Sequence, residues 1–303
     1  MVRVFFNYLI FPGFLFSACF GLLTCWLDRK LSARLQWRLG PPWYQGFMDI
    51  CKLFGKETIL PSGATITFIL APCLGFLAAI LSATILGTSL WQTGGFGADL
   101  IVVLYLLMIP AVALIMGASS SANPLASVGA SREMKLVLGY ELPFILSVLA
   151  IVTKGNGAIR FQDIISQQQL SSSNIFSWSG TLAFLAVIFC VQAKLGFGPF
   201  EISEAEQEIM GGALIEYSGS LLAIFKLTKA VLFYTLPLLV IVLFLGKDTS
   251  LLFLALKYLG IVLIFILVKN TNPRLRIDQA VRFFWGPVTL LALVSLILSL
   301  LGY

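Results

Sequence analysis

Four carboxylates, Glu201, Glu204, Glu206 and Glu208, crowd the stretch Pro199-Phe-Glu-Ile-Ser-Glu-Ala-Glu-Gln-Glu208, and Glu216 follows in Glu216-Tyr-Ser-Gly219. Long apolar runs flank them. No Lys or Arg lies between Lys194 and Lys226, so the local sequence offers these acids no partner. A carboxylate beside a membrane is costly to desolvate, so a dense cluster points to proton or cation handling rather than to stability. Burial and like charges both raise a carboxylate's proton affinity, and acids this close titrate as a coupled set. If the segment were helical, Glu201, Glu204 and Glu208 would share a face and Glu206 would point away. Pro199 and the glycines at 196, 198, 211 and 212 argue against one long helix. A solvated acidic loop is the plain alternative.

A further acid, Glu141, sits inside the apolar run 137–153 together with Pro143. A carboxylate within a span reads as functional by default, the alternative being a side chain that snorkels from a span edge. Proline makes this short run either kinked or sheltered inside the bundle. Lys194, Lys226, Lys229 and Lys257 also fall in or near spans. Lys226 and Lys229, one turn apart, either compensate the acidic segment or snorkel.

The elements that must position these groups follow from composition. Of 303 residues, 59% are hydrophobic and 11% charged, more apolar surface than a soluble domain can hide. The apolar runs are continuous, which excludes the alternating pattern of a membrane β-barrel. The chain therefore reads as a single all-α polytopic membrane domain over 1–303, with spans at 4–27, 64–88, 100–120, 137–153, 176–198, 219–245, 249–269 and 284–301. The first run is too long for a signal peptide's apolar region and lacks a clear cleavage site. Gly94-Gly95-Phe96-Gly97 reads as a turn between spans, and no internal repeat is visible.

With no His and five Cys that form no CxxC pair, a zinc site or iron–sulfur cluster within the chain is not expected. Imidazole acid–base catalysis is excluded. The net charge of +6 reflects loop orientation rather than nucleic-acid binding. Loops 28–63, 121–136 and 269–283 carry twelve Lys and Arg, whereas the opposite side carries four: Arg3, Lys154, Arg160 and Lys247. The positive-inside rule puts the twelve, and the acidic loop 199–218 with them, in the cytoplasm and both termini outside.

The basic loop 28–63 contains Arg34 and Arg38 at i, i+4, and Asp49, Lys52 and Lys56 at i, i+3, i+7, each set on one face if helical. Such a segment is either an amphipathic helix on anionic lipid or a platform that docks a soluble subunit. Trp37, Pro41, Trp43, Tyr44 and Phe47 either form a pocket or anchor at the interface.

Three stretches together resemble the H subunit of respiratory complex I and its counterpart in group 4 membrane-bound nickel–iron hydrogenases. They are Asp28-Arg-Lys-x-x-Ala-Arg-x-Gln-x-Arg-x-Gly-Pro with Asp49-x-x-Lys-Leu, then Pro199-Phe-Glu-Ile-Ser-Glu-Ala-Glu with Glu216-Tyr-Ser-Gly, then Pro273-Arg-Leu-Arg-Ile-Asp-Gln279. Gly129-Ala-Ser-Arg-Glu133 and the short segment Gln207-Glu208-Ile-Met lean toward the hydrogenase form, as in formate hydrogenlyase. A sulfur-reducing relative would share these features. The resemblance implies about eight transmembrane helices, a cytoplasmic amphipathic helix after the first, and residence in the inner (cytoplasmic) membrane. It implies no cofactor in this chain, with iron–sulfur clusters and a nickel–iron centre in hydrogenase-like large and small subunits, and antiporter-like membrane subunits alongside. Glu141, Glu201, Glu204, Glu206, Glu208 and Glu216 would couple protons. Arg34, Arg38, Asp49, Lys52, Lys56, Arg274, Arg276 and Asp278 would dock the soluble arm. A quinone cavity beneath the first loop is the complex I alternative. A stand-alone transporter would show matched halves, which are not found. A purely structural anchor leaves Glu141 and the glutamate cluster unexplained.

Overall fold

The computed structural model describes residues 7–91, 100–248 and 250–302, without the side chains of Glu206 and Gln207. Arg3, the turn at 94–97 and the Glu206 carboxylate lie outside the described residues. Among the described residues there are helices and no strand. Helix α1 (Phe14–Leu35) holds the first span and α2 (Gln45–Phe54) follows it. Next come α3 (Ile66–Trp91), α4 (Leu100–Ser119) and α5 (Pro124–Lys154), then α6 (Phe161–Leu170) and α7 (Trp178–Lys194). The one-turn α8 (Glu206–Ile209) precedes α9 (Gly219–Phe244) and α10 (Leu251–Thr271). Last, α11 (Ile277–Phe283) passes through a π-helical turn at Phe284–Val288 into α12 (Thr289–Leu300). Seven of the described helical segments are long and apolar enough to cross a membrane, and the shorter apolar α7 stands with them.

Helix α9 is the hub. Beyond Lys229 it is apolar all round, as a central membrane helix must be, and 94% of its most apolar stretch is buried. It packs on α1, α2, α3 and α10. Gly21 lets α1 come this close, because a Cβ there would collide with the Ala230 carbonyl. The two elements bring together the first basic loop and the lysines of α9.

Two boundaries differ from the expected spans in ways that matter for function. The fourth span is expected at 137–153, but α5 begins at Pro124. Asn123 caps it, its side-chain oxygen accepting from the Leu125 N–H at 2.8 Å, and Pro124 supplies a preset first turn. At 1.5 Å per residue the helix is about 46 Å long, well beyond a bilayer core of roughly 30 Å. Most of the expected loop 121–136 is therefore helix. The fifth span, expected over 176–198, stops at Lys194, where a turn through Gly196 (φ +59°) leads into the acidic segment.

The segment 195–218 holds only α8 and a 3-10 turn at Gly212–Leu214, as the prolines and glycines imply. Glu201, Glu204 and Glu208 consequently do not share a helical face. Two other helical expectations fail for the same kind of reason. Arg38 lies beyond the end of α1 at Leu35, so it does not stack on Arg34, and Lys56 lies beyond the end of α2 at Phe54.

Candidate functional site

The loops carrying the basic and acidic motifs meet at one end of the bundle. Arg274 binds Glu201 at 3.0 Å, Lys269 binds Asp28 at 2.7 Å, and Arg132 binds Glu208. Asn123 donates to Glu216, so that carboxylate ties the acidic loop to the N-cap of α5. The neighbouring Tyr217 donates to the Phe68 carbonyl at 3.1 Å and stacks on the Phe68 ring at 4.1 Å. Glu201, Glu208 and Glu216, which have no partner in the local sequence, thus find one on another element.

Deeper pairs continue inward. Lys229 of α9 binds Glu204 at 2.9 Å. Lys194, at the end of α7, binds Glu141 of α5 at 2.8 Å, and its side chain is only 2% exposed. The Lys194 ammonium also lies 4.6 Å from the Phe144 ring centre and 5.5 Å from that of Tyr140, a cation–π setting that stabilises a charge with little water around it. Phe197 plays the same part between two other cations, 5.7 Å from the Lys229 ammonium and 4.9 Å from that of Lys269.

Glu133 completes the series. It is buried on α5, with Ser203, Glu204 and Lys229 as its polar neighbours. In the sequence its place, Gly129-Ala-Ser-Arg-Glu133, reads as loop. A helical reading from Pro124 exposes the signal, because Glu133, Val137, Tyr140 and Phe144 fall at one-face spacing and all are buried. Tyr140 Oη is buried, with no hydrogen-bond partner among the described residues, in the same region.

A cavity of about 330 Å³ joins the two sets. Its apolar part is walled by Trp26 of α1, Ile50 of α2, Pro110 of α4 and Phe225 of α9. Its polar part is reached by Glu133, Lys194, Glu204 and Lys229. Asp28, Arg29 and Asp49 line it too, and Arg29 pairs with Asp49 at 3.3 Å. Of the five aromatic and small residues read as either a pocket or interfacial anchors, Pro41 lines this cavity, while Phe47 is half-buried in the core beside it. Trp37, Trp43 and Tyr44 are exposed.

The structure therefore sorts the expected coupling residues. Glu204 lines the cavity with Glu133, and Glu141 reaches it through its pair with Lys194. Glu201, Glu208 and Glu216 stand at the rim. Among the docking candidates, Arg34, Arg38, Lys52, Lys56, Arg274, Arg276 and Asp278 are exposed at this end. Asp49 is held instead by Arg29 and by the Gln45 amide at 2.9 Å, facing the cavity. Lys226 is exposed at the cavity, with no salt bridge among the described residues, whereas Lys257 donates to the Leu245 and Asp248 carbonyls at the far end of α9. Arranged this way, the groups can hold and exchange protons along a path from rim to membrane interior.

A family model described as NADH dehydrogenase matches residues 8–300. The chain is 30% identical to the H subunit of the NADH-quinone oxidoreductase of Geobacillus kaustophilus, over 92% of its length and 87% of the relative's. It is 31% identical to the corresponding H subunit of Anoxybacillus flavithermus, over 93% of its own length and 88% of that chain. A solved chain from the membrane-bound sulfane sulfur reductase, an archaeal respiratory membrane complex, superposes with a TM-score of 0.89 at 30% identity. It covers 98% of this chain and 99% of that one.

Proposed function

Because the chain belongs to the NADH dehydrogenase family, among relatives of the complex I H subunit, we propose that it anchors and couples a ferredoxin-driven, multisubunit oxidoreductase of the membrane-bound hydrogenase type. It links redox chemistry in a docked soluble arm to proton or sodium movement across the cytoplasmic membrane. The basic end faces the cytoplasm and both termini lie outside. Hydrogenase-like large and small subunits hold the iron–sulfur clusters and the nickel–iron centre, and antiporter-like subunits sit beside it in the membrane. The observation that carries the reading is the Glu141–Lys194 pair inside a span, beside a cavity that Lys194 lines together with Glu204, Lys229 and Glu133.

The physics is a coupled set of acids and cations whose members change each other's proton affinity. A proton that arrives on Glu204 weakens its hold on Lys229, and this changes the field at Glu133. A proton that reaches Glu141 leaves Lys194 with only its aromatic neighbours. A displacement of the acidic loop by the docked arm shifts these occupancies, because Glu201 and Glu208 are tied to Arg274 and Arg132 on other elements.

Glu141→Gln tests this directly. The complex should assemble and carry electrons, while ion uptake into reconstituted vesicles falls to background. Uptake at the wild-type level would remove Glu141 from the path. Reversing the charges of Arg34, Arg38, Lys52 and Lys56 should release the soluble arm from the tagged chain. A normal pulldown yield would assign those residues to lipid.

The cavity favours a second reading, in which this is the quinone-site subunit of a complex I-like dehydrogenase. Its lining combines apolar side chains with charged ones, as a quinone's tail and head require. The likeness to the sulfane sulfur reductase favours a third variant with the same coupling role. Metal and substrate analysis of the intact complex separates them. Nickel with excess iron and hydrogen evolution supports the hydrogenase type. Iron without nickel moves the assignment to quinone or sulfur reduction, and assays with each acceptor then choose.

A further inference from the structure

The turn after α1 presents a tryptophan where helix chemistry asks for glycine. Trp37 has φ +57°, in the left-handed region. Its N–H bonds the Arg34 carbonyl at 3.2 Å and the Arg38 N–H bonds the Ala33 carbonyl at 2.7 Å. That is the paired hydrogen-bond pattern of a Schellman C-cap, whose left-handed position is normally Gly because a Cβ is strained there. The indole is 98% exposed, and Leu39 beside it is 89% exposed. The position therefore carries both backbone strain and exposed apolar surface.

The turn is rigid on both sides. Gln36 donates to Asn270 of α10 at 3.3 Å, and the Trp26 indole N–H donates to the Pro41 carbonyl at 3.0 Å. Arg34 and Arg38 are exposed on either side of the indole. The apolar run of the first span ends at Leu27, and α1 continues from Asp28 to Leu35, about 10 Å of further helical rise. The interfacial layer of a bilayer is roughly 5–8 Å deep on each side. Trp37 thus stands beyond the apolar run of the first span, at the tip of a polar extension of α1.

We infer that Trp37, with Leu39, is an anchor that inserts into an apolar pocket edged by carboxylates on the soluble arm, with Arg34 and Arg38 meeting those carboxylates. A rigid, exposed Trp flanked by Arg is the usual make-up of an interface hot spot. The inference rests on the coupling-subunit reading above and names the contact that reading needs. The apolar part of the contact persists at high salt, whereas the arginine part is screened.

Two variants of the full complex test it. Trp37→Gly suits the left-handed cap, so the membrane subunit should keep its yield and melting temperature. Retention of the soluble arm on the tagged chain should fall at least tenfold in a high-salt wash, and Trp37→Phe should restore part of it. In a second variant, p-benzoylphenylalanine at position 37 should crosslink in the light to one cluster-bearing soluble subunit of the same complex. A lipid adduct, or an adduct with a second copy of this chain, overturns the anchor. Undiminished retention in Trp37→Gly also overturns it while leaving the coupling reading intact. Should the wild-type chain carry no soluble arm at all, both fall.

Discussion

Two ion pairs in this molecule have nearly the same geometry and opposite settings. Glu141–Lys194 spans 2.8 Å with side chains 17% and 2% exposed, whereas Glu201–Arg274 spans 3.0 Å with both at 36%. Distance does not separate them; solvent does. At the rim, water screens the charges and either partner can be solvated alone. Inside the bundle, each charge depends on the other, because the low-dielectric surroundings penalise an unpaired ion heavily. A proton that reaches the inner pair therefore changes the energy of its surroundings, while one that reaches the rim pair is absorbed by solvent. In the proposed coupling mechanism the contrast gives the inner pair the gating role, and leaves the rim pair to tether the acidic loop.

The comparison can be broken most decisively at Lys194. Lys194→Met strands the Glu141 carboxylate and should destabilise the chain by about 3–5 kcal/mol, read as a lowered melting temperature in detergent. Adding Glu141→Gln should recover most of that loss, since the stranded charge is then gone. A single variant as stable as wild type would show that Glu141 reaches water without its partner.

The half-buried pair Lys229–Glu204, at 32% and 26% exposure, falls between the extremes. Glu204→Gln should cost roughly 1–2 kcal/mol, less than a fully buried pair and more than a surface one, and should reduce ion uptake while electron transfer continues. Unchanged uptake would place the path elsewhere along the cavity. Glu133→Gln sharpens the same question. It removes a buried charge centre without stranding a dedicated partner, so stability should hold while uptake falls. Loss of assembly instead would make Glu133 a structural residue. The smallest effect belongs to the rim. Arg274→Ala should cost about 0–1 kcal/mol, and raising the salt concentration should erase the difference. A large, salt-independent loss there would mean that the rim is dry in the assembled complex.

Much of this was legible in the primary structure. Eight apolar runs marked eight helical segments, and the count of Lys and Arg grouped the loops that the fold gathers at one end. Glycine and proline foretold the broken segment after α7. The site was only half legible. Glu141 and the acidic cluster stood out because a carboxylate is conspicuous among apolar residues. Glu133 did not, because the helix that starts beyond the polar cap at Asn123 runs through an expected loop. Lys229 was legible as one of two lysines that either compensate the acidic segment or snorkel, without Glu204 being singled out, and Lys194 only as a charge near a span.

What the sequence determined by itself is class and the grouping of the charged loops: a helical membrane bundle with acids at and within its spans. Those follow from transfer energies summed along the chain, which depend on composition and order alone. Pairing was decided by the tertiary structure. Glu141 meets Lys194 across 53 residues and Asp28 meets Lys269 across 241. Which charges face each other depends on the rotation, length and depth of separate helices. A shift of one residue turns a helical side chain by about 100°, so only the packed bundle fixes whether an acid is gated, tethered or free.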